Sequence, residues 1–418
     1  MIKNLYILYL ICLTIIVSSC GSSHNSSESA SVLQQCTSGG ASRANNFMIV
    51  ADKFSAETAI FEQFPVADSL GLSSLLPIDE VNVAFATESG YIGIGNSSNI
   101  QWITQISHNK GYIASGMCRD KSGNLYAVST SGYMSAIDPL GKLIWKKKLL
   151  HANKGSIIWL DLLSVSDGIV ACGDTSIFKV GFDGKVIWRQ DRSSTPIGNI
   201  SADEHGNLYS AQSINIPGGT DTLVCWNPEG KLRWKATLPF IRLTTQPLIL
   251  NGKVFVGGVR IDQQAKTPAL FCFGDDGTKC WETVIKETPR FLSADDSMLY
   301  LVCSEPRISE QARSMITGFT LDGHKKWHVY VSAKAAAPLL VSKSNVGMLA
   351  KHQESASDFF IFNKSGVLES QFSFADQGNS SRADFLPLPA VLRGGSIAFP
   401  CSDKSGIVAV QAKKRFLF

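Results

Sequence analysis

Ser135-Ala136-Ile137-Asp138-Pro139-Leu140-Gly141-Lys142-Leu143-Ile144-Trp145 reads as two short strands joined by a tight turn. Pro139 presets φ for the turn, and Gly141 supplies the positive φ that closes it. The second strand ends on an indole, the largest apolar group available to wedge between packed sheets. One such hairpin says little; its recurrence along the chain decides the fold.

Trp102, Trp145, Trp188, Trp234, Trp281 and Trp327 follow one another at intervals of 43, 43, 46, 47 and 46 residues. Gly184, Gly230, Gly277 and Gly323 precede the later tryptophans by four residues, as Gly141 precedes Trp145. A seventh rung keeps Gly366 but has Ser370 where Trp is expected, and Phe418 offers an eighth, at the distance from Ala409 that Trp145 keeps from Ala136. A strand-built period of roughly 40–50 residues predicts the blades of a β-propeller. Between the hairpins lie apolar runs such as Leu125-Tyr126-Ala127-Val128, Ile169-Val170-Ala171-Cys172 and Ile397-Ala398-Phe399. Mostly apolar runs bounded by turn residues suit strands buried on both faces. Eight such runs match eight rungs. The expected fold is all-β, an eight-bladed β-propeller with four antiparallel strands per blade, with seven blades as the alternative.

The chain has 418 residues, 44% hydrophobic and 18% charged, a globular balance that excludes a disordered chain. Net charge is +4, and short runs such as Lys146-Lys147-Lys148 read as solvated blade edges, so no nucleic-acid partner is expected. At the N-terminus, Lys3 precedes a mainly apolar run over residues 5–17, too short to span a bilayer. Val17-Ser18-Ser19-Cys20-Gly21 resembles the bacterial lipobox, which implies cleavage before Cys20 and its lipidation. Gly21 replaces the Asp that retains such proteins at the inner membrane, which favours the outer membrane. Residues 1–19 are expected to be a lipoprotein signal, 20–46 a lipidated Cys with a Ser-rich tether, and 47–418 a single propeller. One of the runs Phe47-Met48-Ile49-Val50 and Thr58-Ala59-Ile60-Phe61 is expected to complete the last blade. Cys36, Cys118, Cys172, Cys225, Cys272, Cys280, Cys303 and Cys401 contain no C-x-x-C; most lie in apolar strands and read as small buried hydrophobes, although Cys272 and Cys280 flank one hairpin.

Ala136, Asp138, Gly141, Lys142 and Trp145 resemble the tryptophan-docking repeat of the pyrroloquinoline-quinone (PQQ) propellers, with a turn one residue shorter. That resemblance implies the fold over nearly the whole mature chain, and it leaves the function open. The family includes quinoprotein dehydrogenases and also non-enzymatic lipoproteins of the BamB type, which scaffold outer-membrane β-barrel assembly. Many of the enzymes carry an adjacent Cys-Cys pair and acidic and amide Ca²⁺ ligands. No two cysteines are adjacent here, and His-Glu-x-x-His, Gly-x-x-x-x-Gly-Lys-Ser/Thr and Gly-x-Ser-x-Gly are all absent. No catalytic, cofactor or metal set is therefore expected, and the six tryptophans read as structural. The connection between second and third strands is short in the first three repeats and longer over 213–222, 259–268, 304–314 and 351–358. Insertions on one face often mark a binding face. Arg260, Gln263, Arg307, Glu310 and Arg313 are the candidate partner-binding residues there. The expected function is a lipid-anchored envelope scaffold for protein partners, possibilities of a different class being a quinone- or ligand-binding redox protein and a surface adhesin or carbohydrate binder.

Overall fold

Gly141 lies at φ 87°, and the turn it ends is held at both levels. Its N–H donates to the Asp138 carbonyl (3.0 Å), and the Asp138 N–H donates to the Lys142 carbonyl (2.9 Å). The Asp138 carboxylate accepts the N–H groups of Leu140 (3.0 Å) and Lys142 (2.8 Å). The register then shifts between Ala136 and Ile137, a β-bulge that leaves Ala136 opposite Trp145. The same bulge recurs beside Trp102, Trp188, Trp234, Trp281 and Trp327. A bulge re-aims the side chain next to it, and here it aims each indole out of its own sheet.

The computed structural model describes residues 54, 62–63, 72–87, 89–96, 98–107, 116–129, 131–149, 161–173, 176–191, 195–213, 220–261, 266–304, 313–351, 356–375, 389–392, 397–400 and 407–410. The protein is all-β: its strands form seven or more four-stranded antiparallel sheets, as a β-propeller requires. With strands named a to d from one edge of the sheet to the other, the second sheet is Cys118–Arg119, Leu125–Val128, Tyr133–Ile137 and Leu143–Lys148. The fourth is Thr195–Ala202, Leu208–Ser213, Asp221–Trp226 and Leu232–Leu238. In the fifth, strand a is broken into Ile241–Leu243 and Leu248–Leu250, followed by Lys253–Ile261, Lys266–Gly274 and Lys279–Val284. Among the described residues the last sheet contains Ala390–Val391, Ile397–Pro400 and Ile407–Val410, and Glu62–Gln63 supplies its outer strand.

Burial follows strand position. Strands b and c are buried along most of their length, as in Val83–Thr87 and Asp221–Trp226, because a neighbouring sheet covers each face. Strand d alternates exposed and half-buried residues, as in Ile100–Gln105, because it is outermost. The indole of Trp102 donates to the Pro139 carbonyl of the next sheet's turn (2.9 Å), and Trp145 to Phe182 (2.8 Å). Trp188, Trp234 and Trp327 reach Pro228 (3.0 Å), Asp275 (2.6 Å) and Lys364 (2.8 Å) in the same way. The ring lies against the positive-φ glycine of that turn: a Cβ on Gly230 would sit 2.6 Å from Trp188. Trp281 packs on Gly323 likewise, but its N–H is buried without an acceptor.

The eroded rung is explained by this pairing. Gly366 is kept because it receives Trp327, while Ser370, at the Trp position, faces a sheet joined differently. Phe372, two residues on and so on the same face, packs against Phe359 and Phe399. Phe54 enters this cluster, and Asn345 holds its backbone: Oδ1 accepts the Phe54 N–H (3.0 Å) and Nδ2 donates to the Phe54 carbonyl (2.9 Å). The described part of the closing strand, Glu62–Gln63, directly follows the Thr58-Ala59-Ile60-Phe61 run, which lies outside the described residues, as does Phe47-Met48-Ile49-Val50. Phe418 also lies outside them, and the place beside Ile407–Val410 that an eighth hairpin would fill is taken by Glu62–Gln63. Cys118, Cys172, Cys225, Cys272 and Cys303 are buried in the sheets. Burial pushes Cys225 up to about 11 and Cys272 up to about 12. Cys280 is exposed and not bridged to Cys272, while Cys36 and Cys401 lie outside the described residues.

One buried ion pair also spans sheets. Lys364 Nζ lies 2.6 Å from Asp295, which accepts the Tyr300 hydroxyl (2.8 Å) as well. Burial would raise the Asp295 pKa, but Lys364, the Ser297 N–H and Tyr300 outweigh it and hold the carboxyl below its ordinary value. A depressed carboxyl stabilises the fold above its unfolded value of about 3.9 and loses that contribution as pH falls through the folded value. Asp295→Asn is expected to cost roughly 3 kcal/mol at neutral pH, with the gap from wild type closing in acid, read by denaturant unfolding across pH. Trp145→Phe should cost about 1 kcal/mol more than Trp281→Phe, because only the first removes a made hydrogen bond; equal losses in the same assay would contradict the docking account.

Candidate functional site

Antiparallel strands put the a–b and c–d turns at one end of every sheet and the b–c and d–a connections at the other. The second end is the face predicted to bind. Its b–c connections are short in the first three sheets, where Thr87 is followed by Tyr91–Gly95 after three residues. In the fourth and sixth sheets, residues 214–220 and 305–313 separate the strands. The fifth differs from expectation. Val259 pairs with Pro268, Arg260 with Thr267 and Ile261 with Lys266, so the predicted 259–268 loop shrinks to 262–265. Alternation of Val259 and Ile261 around Arg260 extends the ladder, and Arg260 stands on a strand rather than in a loop. In the seventh sheet the pairs Ala350 with Asp358 and Lys351 with Ser357 shorten 351–358 to 352–355 in the same way.

Arg260 is ion-paired with Glu282, which also holds Lys279 at 3.0 Å. Arg313 is exposed beside the sixth sheet's third strand. Gln263, Arg307 and Glu310 lie outside the described residues, so of the five candidates only Arg260 and Arg313 have a described position.

A groove of about 740 Å³ lies between the fourth and fifth sheets. Leu238, Ile241 and Phe273 line it, with Arg260 and Lys279 on its wall. Phe240 stands at its edge, 76% exposed and at φ 60°. Pro239 and Phe240 join Leu232–Leu238 to Ile241–Leu243, and the Phe240 carbonyl accepts the Ile261 N–H (2.6 Å), which fixes the peptide. A residue with a Cβ in this left-handed region costs about 1–2 kcal/mol. Strain of this kind concentrates at functional sites. Sequence reasoning passed over Phe240, Lys279 and Glu282. The available signal was Pro-Phe between two apolar strands, where a turn with Pro first normally has Gly second. No two cysteines are adjacent, and among the described residues no cluster of three or more His, Cys, Asp or Glu is placed to hold a metal.

Sheets held each to the next by a Trp in a Gly turn define a β-propeller of PQQ-like repeats. Residues 166–286 match the family model of the outer membrane protein assembly factor BamB. The fold is similar to that of BamB from Moraxella catarrhalis, with a TM-score of 0.59 and 13% identity over 84% of this chain and 100% of that one. It is similar also to Sqt1 of Saccharomyces cerevisiae (TM-score 0.60, 11% identity, 85% of this chain and 100% of that one). The computationally designed Ika8 protein has a TM-score of 0.57 at 12% identity, over 85% of this chain and all of its own. At these identities the likeness is one of fold. No curated protein sequence matches the chain.

Arg260→Ala is expected to change unfolding free energy by less than about 1 kcal/mol, since its ion pair is partly solvated. Thermal melts check this; a larger loss would make Arg260 structural and remove it as a binding candidate.

Proposed function

We propose that this chain is a lipid-anchored, eight-bladed scaffold of the bacterial cell envelope that binds protein partners, in the manner of the BamB-type lipoproteins, and that it is not an enzyme. The observation that carries the reading is the b–c and d–a face, where the fourth and sixth sheets carry the longer connections and an exposed aromatic is held in a costly conformation beside a groove. Support for eight blades comes from core clusters that join each sheet to the next. The last of them packs Ala390 and Ala398 of the final sheet against Leu75 and Phe85 of the first. Support for anchoring rests on Val17-Ser18-Ser19-Cys20, and the outer membrane follows from Gly21 and from the BamB-type repeat. The signal at 1–19, the tether at 20–46 and the propeller from 47 belong to the same proposal.

Phe240→Gly tests the binding face without threatening the fold. Relief of the left-handed residue should leave stability unchanged or raise it by about 1 kcal/mol. The variant should lose the envelope proteins that co-purify with wild type after detergent extraction, and shortening residues 305–313 should do the same. Unchanged co-purification by both variants would sink the scaffold reading at this face. Cys20→Ser should release the protein from the membrane fraction.

A further inference from the structure

The outer rim of the second to fourth sheets combines exposed apolar groups with an excess of positive charge. Leu140 is 85% exposed at the tip of its turn, and Leu143 and Ile144 follow it into strand d half exposed. Val186 and Ile187 occupy the same places in the third sheet, and Leu232 in the fourth. Equivalent positions in the fifth and sixth sheets hold Lys279-Cys280 and Lys325-Lys326. The seventh has exposed Val367 and Leu368, but Glu369 follows them.

These hairpins form one continuous edge. Trp145 docks on the turn of the third sheet and Trp188 on that of the fourth, and Lys147 Nζ reaches the Asp183 carbonyl (3.3 Å) across the first junction. Residues 138–148, 181–191 and 227–238 together contain nine Lys and Arg and four Asp and Glu. That excess exceeds the +4 of the whole chain, so the rest is close to neutral. Lys146 and Lys148 flank Tyr133 at 5.0 and 5.8 Å from its ring, which leaves both ammonium groups outside the sheet.

We propose that this rim is a docking surface for an anionic phospholipid membrane. The aliphatic tips enter the headgroup boundary, and the lysines meet the lipid phosphates. Short apolar insertions contribute transfer free energy, and each Lys or Arg near an anionic surface adds attraction that falls off within a Debye length. Blunting of edge strands accounts for lysines on strand d, but not for aliphatic tips exposed beside them. The aliphatic tips lie at the c–d turns, at the opposite end of strand d from the b–c connections, and the lysines run from there along the outer strand to Lys148, which pairs with Tyr133.

The full chain is mixed with phosphatidylglycerol vesicles or with phosphatidylcholine vesicles, and amide hydrogen exchange is followed over 138–148 and 184–189. Protection of about tenfold or more is expected with phosphatidylglycerol at low salt, fading at high salt and absent with phosphatidylcholine. Lys146→Glu with Lys148→Glu should abolish it, and Leu143→Ser with Ile144→Ser should weaken it severalfold. All four positions are exposed, and an unchanged melting temperature verifies folding. A lipid anchor alone would give equal exchange with both lipids; that result, protection that survives charge reversal, or protection that requires an added acidic protein overturns the proposal.

Discussion

The contact on which the rest of the structure depends is a tryptophan of one sheet seated on a glycine of the next. It combines two demands that neither residue meets alone. The indole needs an acceptor for its N–H once buried, and the turn ahead of it offers a carbonyl two residues before the glycine. The glycine must take positive φ to close its own turn, and the absence of a Cβ opens the seat for the ring. One residue thus satisfies a local backbone requirement and a contact between sheets. Further donors repeat the theme: the Thr104 and Thr283 hydroxyls and the Gln190 amide reach the carbonyls of Gly141, Gly323 and Gly230.

To close the ring, the last sheet must meet the first. Here the docks stop at Gly366, and the chain changes chemistry. An aromatic cluster of Phe359, Phe372 and Phe399 takes over, and the N-terminal segment enters through Phe54 and Glu62–Gln63. Asn345 binds both backbone groups of Phe54, so the incoming segment is read by its peptide unit. A buried amide with both functions used specifies one register, since a slip would leave a donor and an acceptor unpaired. In the first sheet Ser98 stands where the other turns have glycine, as expected if no indole arrives from the final sheet.

The architecture was legible because its period is covalent: the spacing of Trp and Gly survives any folding detail, and turn chemistry at Asp138, Pro139 and Gly141 fixes the hairpin locally. What was not legible depends on pairs distant in sequence. The partner of Ile407–Val410 lies more than 300 residues away, and no periodicity predicts that Glu62–Gln63 supplies it. The candidate site suffered from the same limit in smaller form. Residues 259–268 were taken for loop because polar residues interrupt them, yet cross-strand pairing carries the ladder through Arg260 to Ile261. Phe240 was invisible because a propensity argument sees an ordinary Phe, and only its φ in the fold shows what the turn demands of it.

Repetition also explains why function is to be sought where copies differ. A residue present in every sheet must serve what every sheet needs, and the buried strands and docked indoles do so. Departures carry no such duty. The b–c connections lengthen only after the third sheet, Phe240 occupies a place suited to glycine in one turn, and aliphatic tips beside lysines occur on three neighbouring hairpins. Each departure has a physical cost, in loop closure, left-handed backbone or exposed apolar area. The first two meet at one end of the sheets and the third lies at the other. Two surfaces separated by the length of a strand can be engaged at once.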